Sequence, residues 1–249
     1  MAGHSKWANI KFRKERQDAK KGKVFTKIIK EVTVAARIGG GDIDANPRLR
    51  KAVLQAKQNN MPMANIENAI KKGTGELPGV VYEEVTYEGY GPAGVAIYIL
   101  TQTDNRNRTV GEIRHILSKN GGNLGENGSV AWIFDRKGLI LIPAEGLDED
   151  ELMLMAIDAG AEDLKTEGDF YEVYTPYDEL DSVKTALEEN DIPVEKAELT
   201  FIPQNTISLE GKQAEQMLRL MDSLEDNDDV QDVFANFDID ETVMEQLGA

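Results

Sequence analysis

From Gly138 to Ile202 the apolar residues switch repeatedly between the two-residue period of a strand and the three-to-four-residue period of a helix, and that alternation restricts the fold more than any other feature. Gly138 to Pro143 reads as strand, Asp150 to Ala159 as helix, Ala161 to Thr166 and Phe170 to Thr175 as strands, Asp178 to Glu189 as helix, and Pro193 to Ile202 as strand. This β-α-β-β-α-β succession is the ferredoxin-like order. Strand texture also precedes it. Val81 to Tyr87 and Val95 to Thr101 are rich in β-branched and aromatic residues and are joined across Glu88-Gly-Tyr-Gly-Pro-Ala-Gly94. A helix carried by Val110, Ile113, Ile116 and Leu117 follows, with Asp104 or Asn105 as cap and Asn120-Gly-Gly122 as stop, and then a strand from Ser129 to Phe134. Beyond Ile202 come a helix over Gly211 to Leu224 and a last strand, Val230 to Phe237.

The stretch before Gly138 therefore shows β-β-α-β and then stops; if the terminal helix and strand belong with it, the middle domain is split and the β-α-β-β-α-β unit is inserted into it, although sequence order alone does not fix which sheet the last strand joins. The expected fold class is α+β and multi-domain: an N-terminal three-helix domain followed by two ferredoxin-like α+β domains, the last inserted into the middle one. The expected divisions are residues 1–78, residues 79–136 with 205–249, and residues 137–204.

The helical domain is read from its stops. Phe25, Ile28, Ile29, Val32 and Ala36 mark an amphipathic helix over residues 23–38, ended by Gly39-Gly-Gly41. Asn46-Pro47 announces a second, a capping residue followed by a proline whose missing N–H is no loss at the first helical position. Leu49, Val53 and Ala56 form its apolar stripe. A third begins at Met61-Pro62, buries Ile66, Ala69 and Ile70, and is expected to stop at Gly73, where the linker Gly73-Thr-Gly-Glu-Leu-Pro-Gly79 starts. So small an apolar set leaves this domain marginal by itself.

Charge divides the chain sharply. Of 249 residues 45 are acidic and 28 basic, net −17, yet residues 1–72 hold 17 Lys/Arg against 6 Asp/Glu. The first thirty residues alone hold ten Lys/Arg against Glu15 and Asp18, interleaved with Trp7, Ile10 and Phe12. A basic block on an acidic protein points to a polyanionic partner, docked end-on because the acidic remainder repels phosphate. The plainer reading is a solvated tail.

Several function classes lose support. There is no cysteine, which rules out disulfides and thiol catalysis, and only two histidines, His4 and His115, too few to suggest a zinc site. His115 reads as a partly buried helix residue. No acidic run has the form of a calcium loop, and a solvated face accounts for Asp148-Glu-Asp-Glu151 and Glu225-Asp-Asn-Asp-Asp229. The absence of a long apolar run or a leader predicts a cytoplasmic protein with no membrane partner. Neither a cofactor nor a small-molecule substrate is expected, and no enzymatic reading finds its residues.

Asp104-Asn-Arg-Asn-Arg-Thr109 lies where a strand gives way to a helix. Free N–H groups there, with Arg106 and Arg108, suit phosphate; the alternative is a capped helix start with local ion pairs. The glycine run from Gly121 to Gly128 follows a helix and precedes a strand, the reverse of a phosphate-binding loop, and reads as a flexible turn.

Gly3-His-Ser-Lys-Trp-Ala-Asn-Ile-Lys11 and Gln17-Asp-Ala-Lys-Lys-Gly-Lys-Val-Phe-Thr-Lys27 resemble the opening of the YebC/PmpR family of bacterial regulatory proteins. The family has a mitochondrial relative, the translational activator of cytochrome oxidase subunit I. Asn46-Pro-Arg-Leu-Arg50 with Asn59-Asn-Met-Pro62, Tyr87-Glu-Gly-Tyr-Gly-Pro92, Thr103-Asp-Asn-Arg-Asn-Arg-Thr109 and Gly121-Gly-Asn-Leu-Gly125 extend the resemblance along the chain. It implies a non-enzymatic regulator of gene expression. Family members are described as promoter-binding transcriptional regulators and, elsewhere, as ribosome-associated factors that relieve stalling.

Three readings follow: a regulator binding DNA through the basic end, a translation factor binding ribosomal or transfer RNA on the ribosome, and a protein-interaction module without nucleic acid. The candidate nucleic-acid contacts are Lys6, Trp7, Lys11, Arg13, Lys14, Arg16, Lys20, Lys21, Lys23, Lys27, Lys30, Arg48, Arg50, Arg106 and Arg108.

Overall fold

The computed structural model describes residues 21–240 and Val243. Three helices come first, α1 (Lys21–Gly39), α2 (Pro47–Gln58) and α3 (Met63–Thr74). Asn46 caps α2 as its position before Pro47 predicts, its Oδ1 accepting from the Leu49 N–H at 3.1 Å. Its amide also donates to the carbonyls of Ala35 (2.9 Å) and Gly40 (2.8 Å), so one buried side chain ties the end of α1 to the start of α2. Ile28, Val32, Leu49, Val53 and Ile66 fill the core between the helices. Gly73 is not the stop that the sequence suggests. It lies inside α3 where that helix crosses α1, and a Cβ there would sit 2.4 Å from the Thr33 carbonyl oxygen. The stop is Gly75, left-handed at φ 82°.

The chain then forms two compact units. Among the described residues, the first contains the helical domain, the chain on to residue 131 and the segment from 206 to 240; the second is residues 132–205. In the first, β1 (Glu83–Tyr90) and β2 (Ala96–Thr103) pair antiparallel, Glu83 opposite Thr103 and Tyr90 opposite Ala96. Next come α4 (Arg106–Lys119) and the short β3 (Asn123–Leu124), which joins β1 inside the glycine run. That close pairing needs Gly122, where a Cβ would lie 2.4 Å from the Tyr90 carbonyl oxygen. Of the expected strand from Ser129 to Phe134, only Phe134 is extended, as the start of the next strand; Ser129 to Ile133 form a bend and a single 3-10 turn. Glu88, buried in the sheet, accepts the N–H groups of Gly128 (2.6 Å), Val130 (2.7 Å) and Ala131 (2.8 Å), and so pins the backbone in a bend. Although burial opposes ionisation, these three N–H groups hold the Glu88 carboxyl below the usual range.

The second unit takes the ferredoxin-like order: β4 (Phe134–Pro143), α5 (Glu149–Asp158), β5 (Asp163–Glu167), β6 (Phe170–Pro176), α6 (Leu180–Glu189) and β7 (Lys196–Pro203), in a sheet of order β5-β6-β4-β7. Ile140, Ile142 and Val173 on the strands meet Leu152, Ala156, Val183 and Leu187 on the helices. Asp148 caps α5, accepting from the Glu151 N–H at 3.0 Å, so part of that acidic run serves the helix start.

Back in the first unit, β8 (Ile207–Ser208), α7 (Gly211–Glu225), β9 (Val230–Ala235) and β10 (Phe237–Asp238) complete the architecture. β9 adds to β2, giving a sheet of order β3-β1-β2-β9, while β10 pairs with β8 alone. Ile97 and Ile99 pack with Ile113, Leu117, Met217, Met221 and Phe237, so α4 and α7 share one core. The α+β class and the helical domain ahead of the sheets agree with expectation.

Candidate nucleic-acid interface

Lys6, Trp7, Lys11, Arg13, Lys14, Arg16 and Lys20 lie outside the described residues. Lys21 is the first residue of α1. Lys23, Lys27 and Lys30 recur at four and three residues and so fall in one stripe along α1. That stripe faces the turn between α7 and β9. Lys23 donates to the Asp226 carbonyl at 2.9 Å and pairs with its carboxylate at 3.1 Å, and Lys27 donates to the Glu225 carbonyl at 2.9 Å.

Lys30 goes further in. Only 6 % exposed, it reaches Asp229 Oδ1 (2.6 Å), the Asp228 carbonyl (2.8 Å) and the Gln102 carbonyl (3.4 Å), matching the three donors of an ammonium. The Tyr82 ring lies 5.3 Å from its Nζ. The expectation that Lys30 meets a polyanion is corrected: burial against Asp229 leaves it no face to offer. Asp229 also corrects the reading of 225–229 as a solvated acidic run, because it is 4 % exposed.

Arg108 donates to the other Asp229 oxygen at 2.6 Å and to Asp104 at 2.8 Å, and the Thr109 hydroxyl lies 2.7 Å from the same Asp229 oxygen. Burial raises the Asp229 pKa, but hydrogen bonds from Arg108, Lys30 and Thr109 outweigh it and hold the carboxyl at about 2. Hydrogen bonds to Asp229 and Asp104 push the Arg108 guanidinium up from its ordinary value. Asn105 is the cap of α4, accepting from the Arg108 N–H at 3.1 Å, and Arg106 pairs with Glu83. The start of α4 thus carries the local ion pairs of the plainer reading, although both arginines keep exposed edges. The adjoining cleft, roughly 500 Å³, mixes Lys23, Lys30 and Arg108 with Asp104, Glu112 and Asp229, and its mixed sign does not favour an anion.

Arg48 bridges two glutamates. It donates to Glu31 through Nε (2.7 Å) and Nη2 (2.9 Å), and to Glu84 through Nη2 (2.6 Å) and Nη1 (3.2 Å). The Glu31 bonds hold the guanidinium well above its ordinary value, and Arg48 in turn lowers the Glu84 pKa. Arg50 projects outward and, among the described residues, donates only to the Asp44 carbonyl, at 3.2 Å. Beside it are two cations absent from the expected set, Lys51 and Lys57, both exposed; Lys71 and Lys72 are exposed at the end of α3. The signal was legible: Pro47 to Gln58 holds four cations and no acid. His115, expected to be partly buried, is exposed on α4. Among the described residues no cluster of three or more His, Cys, Asp or Glu is arranged to hold a metal ion. No described helix is long and apolar enough to cross a membrane.

Residues 5–76 match the model of the TACO1/YebC protein N-terminal domain, and residues 82–237 match the model of the TACO1/YebC second and third domain. The chain belongs to the TACO1/YebC family. One family relative, from Natranaerobius thermophilus, is 58% identical over 248 residues, covering 98% of this chain and 99% of its own, and is named "Probable transcriptional regulatory protein". Another from Syntrophobacter fumaroxidans, with the same name, is 58% identical over 248 residues, 99% of this chain and 100% of its own. A crystal structure titled as that of a conserved hypothetical protein, Aq1575 from Aquifex aeolicus, superposes with a TM-score of 0.79 at 50% identity, covering 90% of this chain and 92% of that one. At that identity the TACO1/YebC architecture described above is shared by the two proteins.

Proposed function

We propose that this protein is a non-enzymatic regulator of gene expression that works in the cytoplasm and binds DNA through its basic N-terminal domain. The observation that carries the reading is the segregation of charge, 17 Lys/Arg against 6 Asp/Glu in residues 1–72 of a chain with net charge −17. Cations gathered at one end release counterions from a phosphate backbone, while the acidic remainder repels it, so affinity and orientation have the same source. The relatives named as transcriptional regulatory proteins support the regulatory part of the reading. Phosphate contacts position a protein without reading bases. Sequence preference, on this reading, comes from the shape of the duplex or from a partner protein.

Cross-linking in cells, with sequencing of the attached nucleic acid, tests it. Enrichment of promoter DNA is the expected result. Recovery of ribosomal or transfer RNA instead would replace DNA by the ribosome as the site of action, and recovery of no nucleic acid would overturn the reading in favour of a protein-interaction module.

A further inference from the structure

We infer that the outward face of α2 is a docking surface for the phosphate backbone of a double helix, an inference that rests on the nucleic-acid reading above and names where contact is made. Three observations meet there. The helix carries Arg48, Arg50, Lys51 and Lys57 and no acid, in a chain whose acids far outnumber its bases. Its cations divide by direction: Arg48 turns inward to Glu31 and Glu84, whereas Arg50, Lys51 and Lys57 are exposed and make no ion pair among the described residues. The cationic stripe of α1 is already engaged by the turn at 225–229, and α3 offers only Lys71 and Lys72 in its last turn, beside Glu67 in the same helix, so the broader open basic face is that of α2.

The geometry fits a backbone. At 100° per residue, Lys57, Arg50, Leu54, Gln58, Lys51 and Gln55 fall within an arc of roughly 160°, opposite the buried Leu49, Ala52, Val53 and Ala56. Arg50 and Lys57 are separated by about 10 Å along the axis, far enough apart to meet different phosphates rather than compete for one. Gln55 and Gln58 add neutral donors between the cations, and Leu54, 54 % exposed, is the one large apolar side chain in the arc. No aromatic side chain is present on the helix, so it has no platform on which a splayed base would stack, and a paired backbone is the better match. Asp44 is the acid nearest in sequence to this face, and Arg50 is engaged by its backbone carbonyl rather than its carboxylate.

The test is Arg50→Gln/Lys51→Gln/Lys57→Gln in the full chain, with a mixed-sequence 20-base-pair DNA duplex as probe and binding measured across a salt series. Neutralising three phosphate-binding cations is expected to reduce the slope of log K against log salt by about 2 to 3, and to lower affinity at 0.1 M salt by roughly tenfold or more. The melting temperature should stay at that of the parent, and Lys184→Gln/Lys212→Gln, which removes two cations elsewhere, should bind as the parent does. Unchanged slope and affinity in the triple variant of a parent that binds tightly would overturn this inference and leave the nucleic-acid reading standing. An equal fall in affinity in the Lys184/Lys212 variant would overturn it too, since only bulk charge would then matter. A parent that fails to bind the duplex at any salt brings down both.

Discussion

Lys30 and Asp229 meet at 2.6 Å across 199 residues of sequence, with side chains only 7 % and 5 % exposed. The pair fixes α1 of the helical domain to the edge of the β3-β1-β2-β9 sheet, at the point where β9 begins. A buried pair of this kind is weak evidence for net stability, but breaking it on one side is costly because the other charge stays buried.

The two partners should not respond alike. Asp229→Asn leaves Lys30 buried without a carboxylate and takes from Arg108 one of its two close carboxylate partners, Asp104 remaining, and is expected to cost about 3 kcal/mol or more. Lys30→Met leaves Asp229 with Arg108 and Thr109 and should cost about half as much. Urea denaturation of the two variants checks the asymmetry; equal destabilisation would contradict it.

Acid should erase this contribution in a defined window. The Asp229 carboxyl is held at about 2 in the fold against an ordinary 3.8, so below pH 4 the unfolded chain takes up the proton first. The stability contributed by the carboxylate is complete above about pH 4 and is lost as pH falls through about 2. The gap in melting temperature between the parent and Asp229→Asn should therefore be constant from pH 7 to about 5 and close towards pH 2.

Asn46→Ala removes a helix cap and two bonds that tie α1 to α2, from a side chain that is buried. A destabilisation of about 2 kcal/mol is expected. Gly73→Ala should be worse than propensity suggests, because its Cβ meets backbone at 2.4 Å, whereas Gly111→Ala on the open side of α4 should stabilise by about 0.5 to 1 kcal/mol. Thermal denaturation of the two glycine variants side by side separates packing from helix propensity.

Removing residues 1–20 should reduce the salt dependence of duplex binding by about 0.7 to 0.9 for each phosphate that the segment neutralises. Lys30→Met, assayed well below its melting temperature, should leave that slope unaltered. A slope that falls with Lys30→Met would return this lysine to the interface.

Local features are legible in the sequence, and distant pairings are not. Asn46-Pro47 announces α2 because a cap and a proline act on their own neighbours, and the order from β4 to β7 follows from apolar periods within single elements. β3 escapes a reading by period because two residues in a glycine run carry none; its pairing depends on how closely Gly122 approaches Tyr90. Gly73 looks like a stop until its approach to Thr33 is known. The lysines of α1 read as a polyanion-binding stripe because nothing near them in sequence reveals the carbonyls and the carboxylate of 225–229. Lys51 and Lys57 escape for the opposite reason: they stand in plain view, on a helix whose lack of acids is the signal.

The segment that supplies Asp229 enters the first unit only after the whole of the second has been traversed. A ribosome adding about 5 to 20 residues per second takes roughly 10 to 40 seconds to travel from Lys30 to Asp229, a separation of 199 residues. Throughout that interval Lys30 has no Asp229 carboxylate to close on, and until the turn at 225–229 is made the three stripe lysines lack the partners they have in the fold. Closure of the Lys30 clasp is thus a late event in biogenesis, and any product terminated before residue 229 carries Lys30 without the carboxylate that buries it.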